Sequence, residues 1–267
     1  MRTKFVLVLA FLLALVAALP AAAQDDEGTV TVVHGVPDLT VDVWVNGDAT
    51  LPGFEPGTIT DPLTLPAGDY DIEIYPAGTD PEDADPAIAG SATLPAGANA
   101  SIVAHLTETG EPTLSVFVND VSEIAAGDTR LTVRHTAAAP AVDVRAGGEP
   151  VFSDLANPDE AGADLPAGTV SADVVPAGGD EAVLGPADLS LPEGTSTIVY
   201  AIGSLDDGNL DLLVQTISGL HSDPAAVHAG SGGAATASAL PLWVAALMLA
   251  GGLMATTGGL AYARARR

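Results

Sequence analysis

Cysteine is absent from all 267 residues. That excludes disulfide staples, thiol nucleophiles and cysteine-based metal sites, so every folded part must hold together by core burial. Cations are scarce as well, with 8 Lys and Arg against 35 Asp and Glu. Arg2 and Lys4 lie at one end of the chain and Arg264, Arg266 and Arg267 at the other. The long stretch between keeps only Arg130, Arg134 and Arg145. Such a surface repels phosphate backbones, which excludes nucleic acid as a partner. It fits a saline habitat in which counterions screen self-repulsion, and a GC-rich genome favouring Asp and Ala codons accounts for it equally. Aromatics make up 4% of the chain, which leaves little to stack against a sugar. No convincing helical stripe appears between residues 24 and 239.

What is present begins with two apolar ends. Residues 1–23 read as an export signal: a positive start, an apolar run from Phe5 to Leu19, and "AAA" before Gln24. Near the other end, residues 240–262 contain "LWVAALMLAGGLMATTGGLAY", long enough to cross a bilayer core as one helix. A buried core helix is the alternative. The arginines of the 263–267 tail favour the membrane reading and place that tail in the cytoplasm. The expectation is a single-pass, type I protein of the cell membrane with its ectodomain outside. Within the apolar segment Gly251, Ala255 and Gly259 fall four apart, a ridge that could pair two helices, although general Gly and Ala richness explains it as readily.

The ectodomain is internally duplicated. "TVVHGVPDLTVDVWVNG" matches "TVRHTAAAPAVDVRAGG", "LPAGDYDIEIYPAG" matches "LPAGTVSADVVPAG", and "LPAGANASIVAHL" matches "LPEGTSTIVYAI", in the same order. A short tail, 24–28, therefore precedes repeat 1 (29–120), a linker (121–128), repeat 2 (129–219) and a flexible stalk rich in Ala, Gly and Ser (220–239). Within each repeat the apolar residues recur every second position, as in "VDVWV" and "DIEIY". Turn signals such as "NG" and "PAG" separate these runs. The expected fold is all-β: two tandem β-sandwiches of Greek-key or immunoglobulin-like type, plus the C-terminal transmembrane helix.

Candidate chemistry is thin. His34 shares a strand face with Val30 and Val32, and His135 shares one with Leu131 and Val133; Arg134 points the other way and marks that outer face as solvated. Asp42 and Asp143 fall opposite the valines of their own strand. A core-facing imidazole and a solvent-facing carboxylate do not meet across a regular sheet, so both pairs read as structural motif rather than catalytic dyad. No nucleophile supports catalysis: Ser153 has no counterpart in repeat 1 and no "GxSxG" occurs. No enzyme is expected. Calcium is the one conceivable cofactor, through Asp80, Glu82, Asp83 and Asp85 in "TDPEDADP" and Asp206, Asp207 and Asp211 in "DDGNLD"; ordinary solvated turns account for the same residues. Trp44 is either a contact residue or a ring packed beneath a loop.

The succession "TVTVVHGVPDLTVDVWVNG", "LTLPAGDYDIEIYPAGT", "ATLPAGANASIVAHL" and "LSVFVND" resembles the family called domain of unknown function 4397 (DUF4397). The resemblance implies an exported protein, often with tandem copies, and carries no established activity or catalytic residues. Repeat 2 departs from the pattern at "TAAAPA", so any site centred on Asp38 would be confined to repeat 1. The functional expectation is a non-enzymatic surface protein with an adhesive, interacting or envelope-structural role and an unidentified protein or glycan partner. A calcium-stabilised adhesin and a carbohydrate-active or hydrolytic module are the alternatives.

Overall fold

Short runs of Val, Ile and Thr pack well on a pleated, half-buried surface, and the Gly and Pro between them turn the chain. The computed structural model describes residues 26–221; among these there are sixteen strands and no helix. The first half comprises β1 (Glu27–His34), β2 (Val41–Val45), β3 (Asp48–Phe54), β4 (Leu63–Pro66), β5 (Gly68–Pro76), β6 (Ile88–Leu94), β7 (Asn99–Leu106) and β8 (Pro112–Val118). The second comprises β9 (Asp128–His135), β10 (Val142–Ala146), β11 (Glu149–Leu155), β12 (Glu160–Pro166), β13 (Gly168–Pro176), β14 (Leu184–Leu191), β15 (Ser196–Ile202) and β16 (Asp211–Ile217).

Each half is a two-layer sandwich. Sheet β4-β1-β7-β8 packs on β3-β2-β5-β6, and β12-β9-β15-β16 packs on β11-β10-β13-β14. All neighbours are antiparallel except β1 with β7 and β9 with β15, which run parallel. The β2–β3 hairpin turns at Asn46 (φ 53°) and Gly47 (φ 82°). Two successive positive φ values define the tight turn whose twist matches a hairpin, and Asn-Gly is the pair that adopts it most readily. The corresponding turn in the second half uses Gly147 and Gly148.

The two sandwiches share a third core. In β1 and β7, Val30, Ala100 and Ile102 face the first sandwich interior, while Val33 and Val103 face the other way. There they meet Ile198, Tyr200 and Ile202 of β15, which point away from their own sandwich interior. Sheets β4-β1-β7-β8 and β12-β9-β15-β16 thus pack outer face against outer face, and all seven residues of β15 are buried. Gly35 sits at the seam: a Cβ there would come within 2.8 Å of the Ile202 side chain. Only glycine allows that approach.

This arrangement corrects one expectation. Arg134 does lie opposite the His135 face, yet that face is not solvated, and Arg134 is 1% exposed. The linker 121–128 is tied to the fold. Ile124 is fully buried, its N–H donates to the Leu220 carbonyl at 2.7 Å, and it bridges to His221. Residues 220 and 221 of the expected stalk are therefore held by the fold. The remaining stalk, the export signal and the apolar segment 240–262 with Gly251, Ala255 and Gly259 lie outside the described residues.

Candidate functional site

The repeated histidine and aspartate do the same two jobs in each sandwich. His34 ends β1, is 1% exposed, and its Nε2 lies 2.7 Å from the Leu39 carbonyl. A carbonyl only accepts, so Nε2 carries the proton and Nδ1 presents a bare lone pair. The ring stacks on Phe54 with centroids 5.6 Å apart. His135 repeats the arrangement, with Nε2 donating to the Pro140 carbonyl at 2.9 Å. Its Nδ1 differs: it accepts from the Ala137 N–H, at 3.4 Å, whereas the buried Nδ1 of His34 has no partner. Burial pushes both imidazoles below the ordinary histidine range, against the carbonyl contact that favours the charged form.

On the opposite face of β2, the Asp42 carboxylate accepts from the Gly53 N–H (2.6 Å) and the Gly78 N–H (2.8 Å). It ties the bulged β3 to the turn after β5, next to the register shift between Val41 and Val43. Asp143 accepts from Asp154 (2.9 Å) and Gly178 (3.0 Å) beside the matching bulge. The Gly178 and Asp154 amides hold its carboxyl below the usual carboxylate range. Every polar atom of these carboxylates faces backbone amides, and neither meets its histidine. The constellation positions backbone.

A polar cluster that sequence reasoning missed lies between the sandwiches. Arg134 donates through Nε to Glu160 (2.8 Å), through Nη1 to the Tyr200 hydroxyl (2.8 Å) and through Nη2 to Asn119 Oδ1 (2.8 Å). Tyr200 in turn donates to Gln215 Oε1 at 2.5 Å, and Ser101 reaches the same oxygen at 3.0 Å. Asn119 and Ser101 belong to the first half, so the network crosses the seam. Asn157 crosses it too, donating to the carbonyls of Leu106 (2.8 Å) and Ala137 (2.6 Å). A cleft of about 400 Å³ beside the cluster is lined by Arg130 and Arg134. It offers an anion nothing: Arg130 pairs with Asp120 and Asp164, and Arg134 with Glu160. A sequence signal for this seam exists in "SIVAHL" and "TIVYAI", continuous apolar runs of the kind that mark strands buried on both faces.

The other candidates stay apart. Asp80, Glu82, Asp83, Asp85, Asp206, Asp207 and Asp211 are all exposed. Asp80 accepts from the Glu82 N–H at 3.0 Å, and Asp211 from the Leu212 N–H at 2.8 Å, as turn residues do. Among the described residues no three His, Asp or Glu side chains come together in a way that could hold a metal ion. Trp44 is half-buried and meets Tyr75 edge to face at 6.5 Å. Arg145 takes its place in the second half, paired with Asp173 at 2.8 and 2.6 Å.

Each sandwich interior also encloses space. A cavity of about 260 Å³ runs between the sheets of the first, bounded by Val30, Val43, Ile72, Ala100 and Ile102, with His34 in its wall. The second has one of about 220 Å³ that His135 lines.

No curated protein matches this chain. A family model does: the one described as a domain of unknown function, DUF4397, matches residues 28–145, which covers the first sandwich from the second residue of β1 onward, reaches β10 of the second, and supports the family indicated by the motifs.

Proposed function

We propose that this is a non-enzymatic cell-surface protein whose two sandwiches form one stiff head. Residues 220–239 carry the head and 240–262 anchor it in the membrane, with 263–267 inside the cell. The head serves as an interaction, adhesion or envelope-structural module. Each half is read as one copy of the DUF4397 domain with an immunoglobulin-like, Greek-key course. The shared order of strands and the parallel pairing of a first with a seventh strand support that reading.

One observation carries the proposal. The residues with the most reactive side chains, His34, His135, Asp42, Asp143 and Arg134, are each spent on holding backbone or on joining the halves. A catalytic group needs a free position facing substrate and an activated nucleophile or acid–base partner, and none of these five has one. A molecule stiffened across two domains without disulfides suits display at a distance from the membrane.

Two measurements test it. A chain ending at residue 239 should leave the membrane fraction and appear in the medium, where the full chain stays with the membrane. The released ectodomain, applied to protein and glycan arrays, should bind without turnover. Hydrolysis of any arrayed glycan that is lost in His34→Gln or Asp42→Asn variants with intact folding would overturn the proposal in favour of a carbohydrate-active module.

A further inference from the structure

Equivalent strand positions on the outer faces of the two sandwiches are occupied differently. In the second, Arg145 of β10 stands opposite Asp173 of β13 and holds it through two hydrogen bonds, Nε to Oδ1 at 2.8 Å and Nη2 to Oδ2 at 2.6 Å. Its Nη1 also donates to the Asp180 carbonyl, at 3.4 Å, in the connection to β14. Both side chains are largely buried, 20% and 16% exposed. Carboxylate and cation there form a closed unit.

The first sandwich keeps the carboxylate and lacks the cation. Glu73 of β5 occupies the place of Asp173, and the residue opposite it on β2 is Trp44. No lysine or arginine occurs between residues 29 and 120, and Glu73 takes part in no ion pair among the described residues. Tyr75, next on the same face, meets Trp44 edge to face at 77° and is 3% exposed. Burial, followed by the charges of Glu73 and of Asp85 in the connection to β6, pushes its hydroxyl above the ordinary tyrosine range. Two carboxylates therefore act on the hydroxyl end of Tyr75, beside the indole. Nε1 of Trp44 is buried and unpartnered, so what this half-buried side chain shows to solvent is carbon. An indole flanked by carboxylates without counterions attracts a cation through its quadrupole and through their charge.

Guanidinium is the cation that fits. Arg145 shows what the position takes when the indole is absent: a planar fork that pairs bidentately with the opposite carboxylate, where an ammonium would be a point charge. Guanidinium also stacks on aromatic faces. A second copy of the chain has none to offer from its described residues, because Arg130, Arg134 and Arg145 are each held in ion pairs. The occupant therefore comes from a different, basic molecule.

We propose that the outer face of β2 and β5 in the first sandwich binds an arginine side chain of a partner protein, its guanidinium paired with Glu73 and stacked on Trp44. The second sandwich does not share the site, since Arg145 fills it from within. This names the partner chemistry for the interaction reading of the head and rests on that reading. Failure of binding would leave the release of residues 24–239 from the membrane unaffected, so the two fail separately.

Trp44 is itself the reporter, being the one tryptophan between residues 24 and 239. Fluorescence of that chain is titrated with N-acetyl-arginine amide, its lysine counterpart and free arginine, with sodium chloride holding ionic strength constant. The capped arginine should give a saturable change and bind about fivefold tighter than the capped lysine. Free arginine, which brings its own carboxylate to an acidic surface, should bind more weakly than the capped form. Glu73→Gln should remove saturation while keeping the urea midpoint of the parent. Asp85→Asn, in the loop, should weaken binding and serves if Glu73→Gln does not fold. Trp44→Arg should put the chain's own cation opposite Glu73, raise Tm and, followed by calorimetry, abolish binding. A response that never saturates, equal affinity for arginine and lysine, tighter binding of free arginine, or binding that survives Glu73→Gln would each overturn the proposal.

Discussion

The guanidinium of Arg134 lies 4.4 Å from the centre of the Phe117 ring, a cation from the second sandwich set against an aromatic face from the first. Around it, Glu160, Tyr200 and Asn119 accept from three of its nitrogens. A charge survives burial when it is paired and hydrogen-bonded on all sides, and that requirement fixes the relative placement of every element supplying a partner. Of the three arginines and no lysine that residues 24–239 contain, one is committed to the seam.

Replacing that cation should therefore weaken the whole head. Arg134→Leu removes the ion pair and leaves Asn119 Oδ1 without its guanidinium donor in a buried site. Glu160 is 39% exposed at its side chain and can rehydrate, which keeps the cost at the lower end for a broken buried pair, about 3 kcal/mol. Urea unfolding of residues 24–239 measures this. The unmodified protein should show one cooperative transition because the halves share a core, and Arg134→Leu should split it into two.

Asp143 gives a test with a defined pH sense. Backbone amides of Gly178 and Asp154 lower its folded pKa relative to an unfolded aspartate. A depressed carboxylate contributes stability above the unfolded value and loses it as pH falls through the folded value. Asp143→Asn should therefore lower Tm at pH 7, since the amide cannot accept both N–H groups. The gap between variant and parent should shrink as the solution is brought to about pH 3, below the ordinary aspartate value. A gap that is constant with pH would show that the amides of the β11 bulge do not sense this charge. Scanning calorimetry across the range settles it.

Much of this could be read from the chain and some could not, for identifiable reasons. Period-two alternation and the Asn46–Gly47 turn are local consequences of side-chain direction and backbone sterics, so sandwich strands are legible in sequence. The same alternation separates His34 from Asp42. The seam was hidden because Arg134, in isolation, reads as a solvent-facing charge; its partners Asn119 and Tyr200 are distant in sequence, and nothing local predicts their convergence. The apolar runs of β7 and β15 carried the signal, but continuous apolar residues do not say which second surface covers them. The orphaned Nδ1 of His34 was out of reach for another reason, because tautomer and cavity depend on packing.

Separating the repeats should expose that second surface. A chain of residues 24–121 would present Val33, Val103 and Phe117 to water, a face that the full head covers with Ile198, Tyr200 and Ile202. Large exposed apolar patches drive association. The same face of the related second half already packs against it here, so two copies of the isolated repeat have a surface to share. Sedimentation should show concentration-dependent dimers for residues 24–121 and a monomer for residues 24–239. Phe117→Asp should return the isolated repeat to a monomer.

Acid should weaken the head well before its carboxylates protonate, through three buried imidazoles. His34, His105 and His135 are each 1% exposed, and burial lowers the pKa of all three. His105 donates through Nδ1 to the Leu106 carbonyl and accepts at Nε2 from Ser115, both at 2.8 Å, so its neutral form is fully satisfied. His135 nearby makes a charge on His105 costlier still. The unfolded chain, with ordinary histidines near pH 6.5, takes up protons first as pH falls. Stability is therefore highest above that value and drops as pH descends from it toward the folded pKa values. The slope is at most about 1.4 kcal/mol per pH unit for each histidine. Urea midpoints measured between pH 7.5 and pH 5 should fall steadily, and His105→Gln, which retains a donor and an acceptor, should flatten the fall by about a third. An unchanged slope in that variant would mean that His105 titrates no differently folded and unfolded.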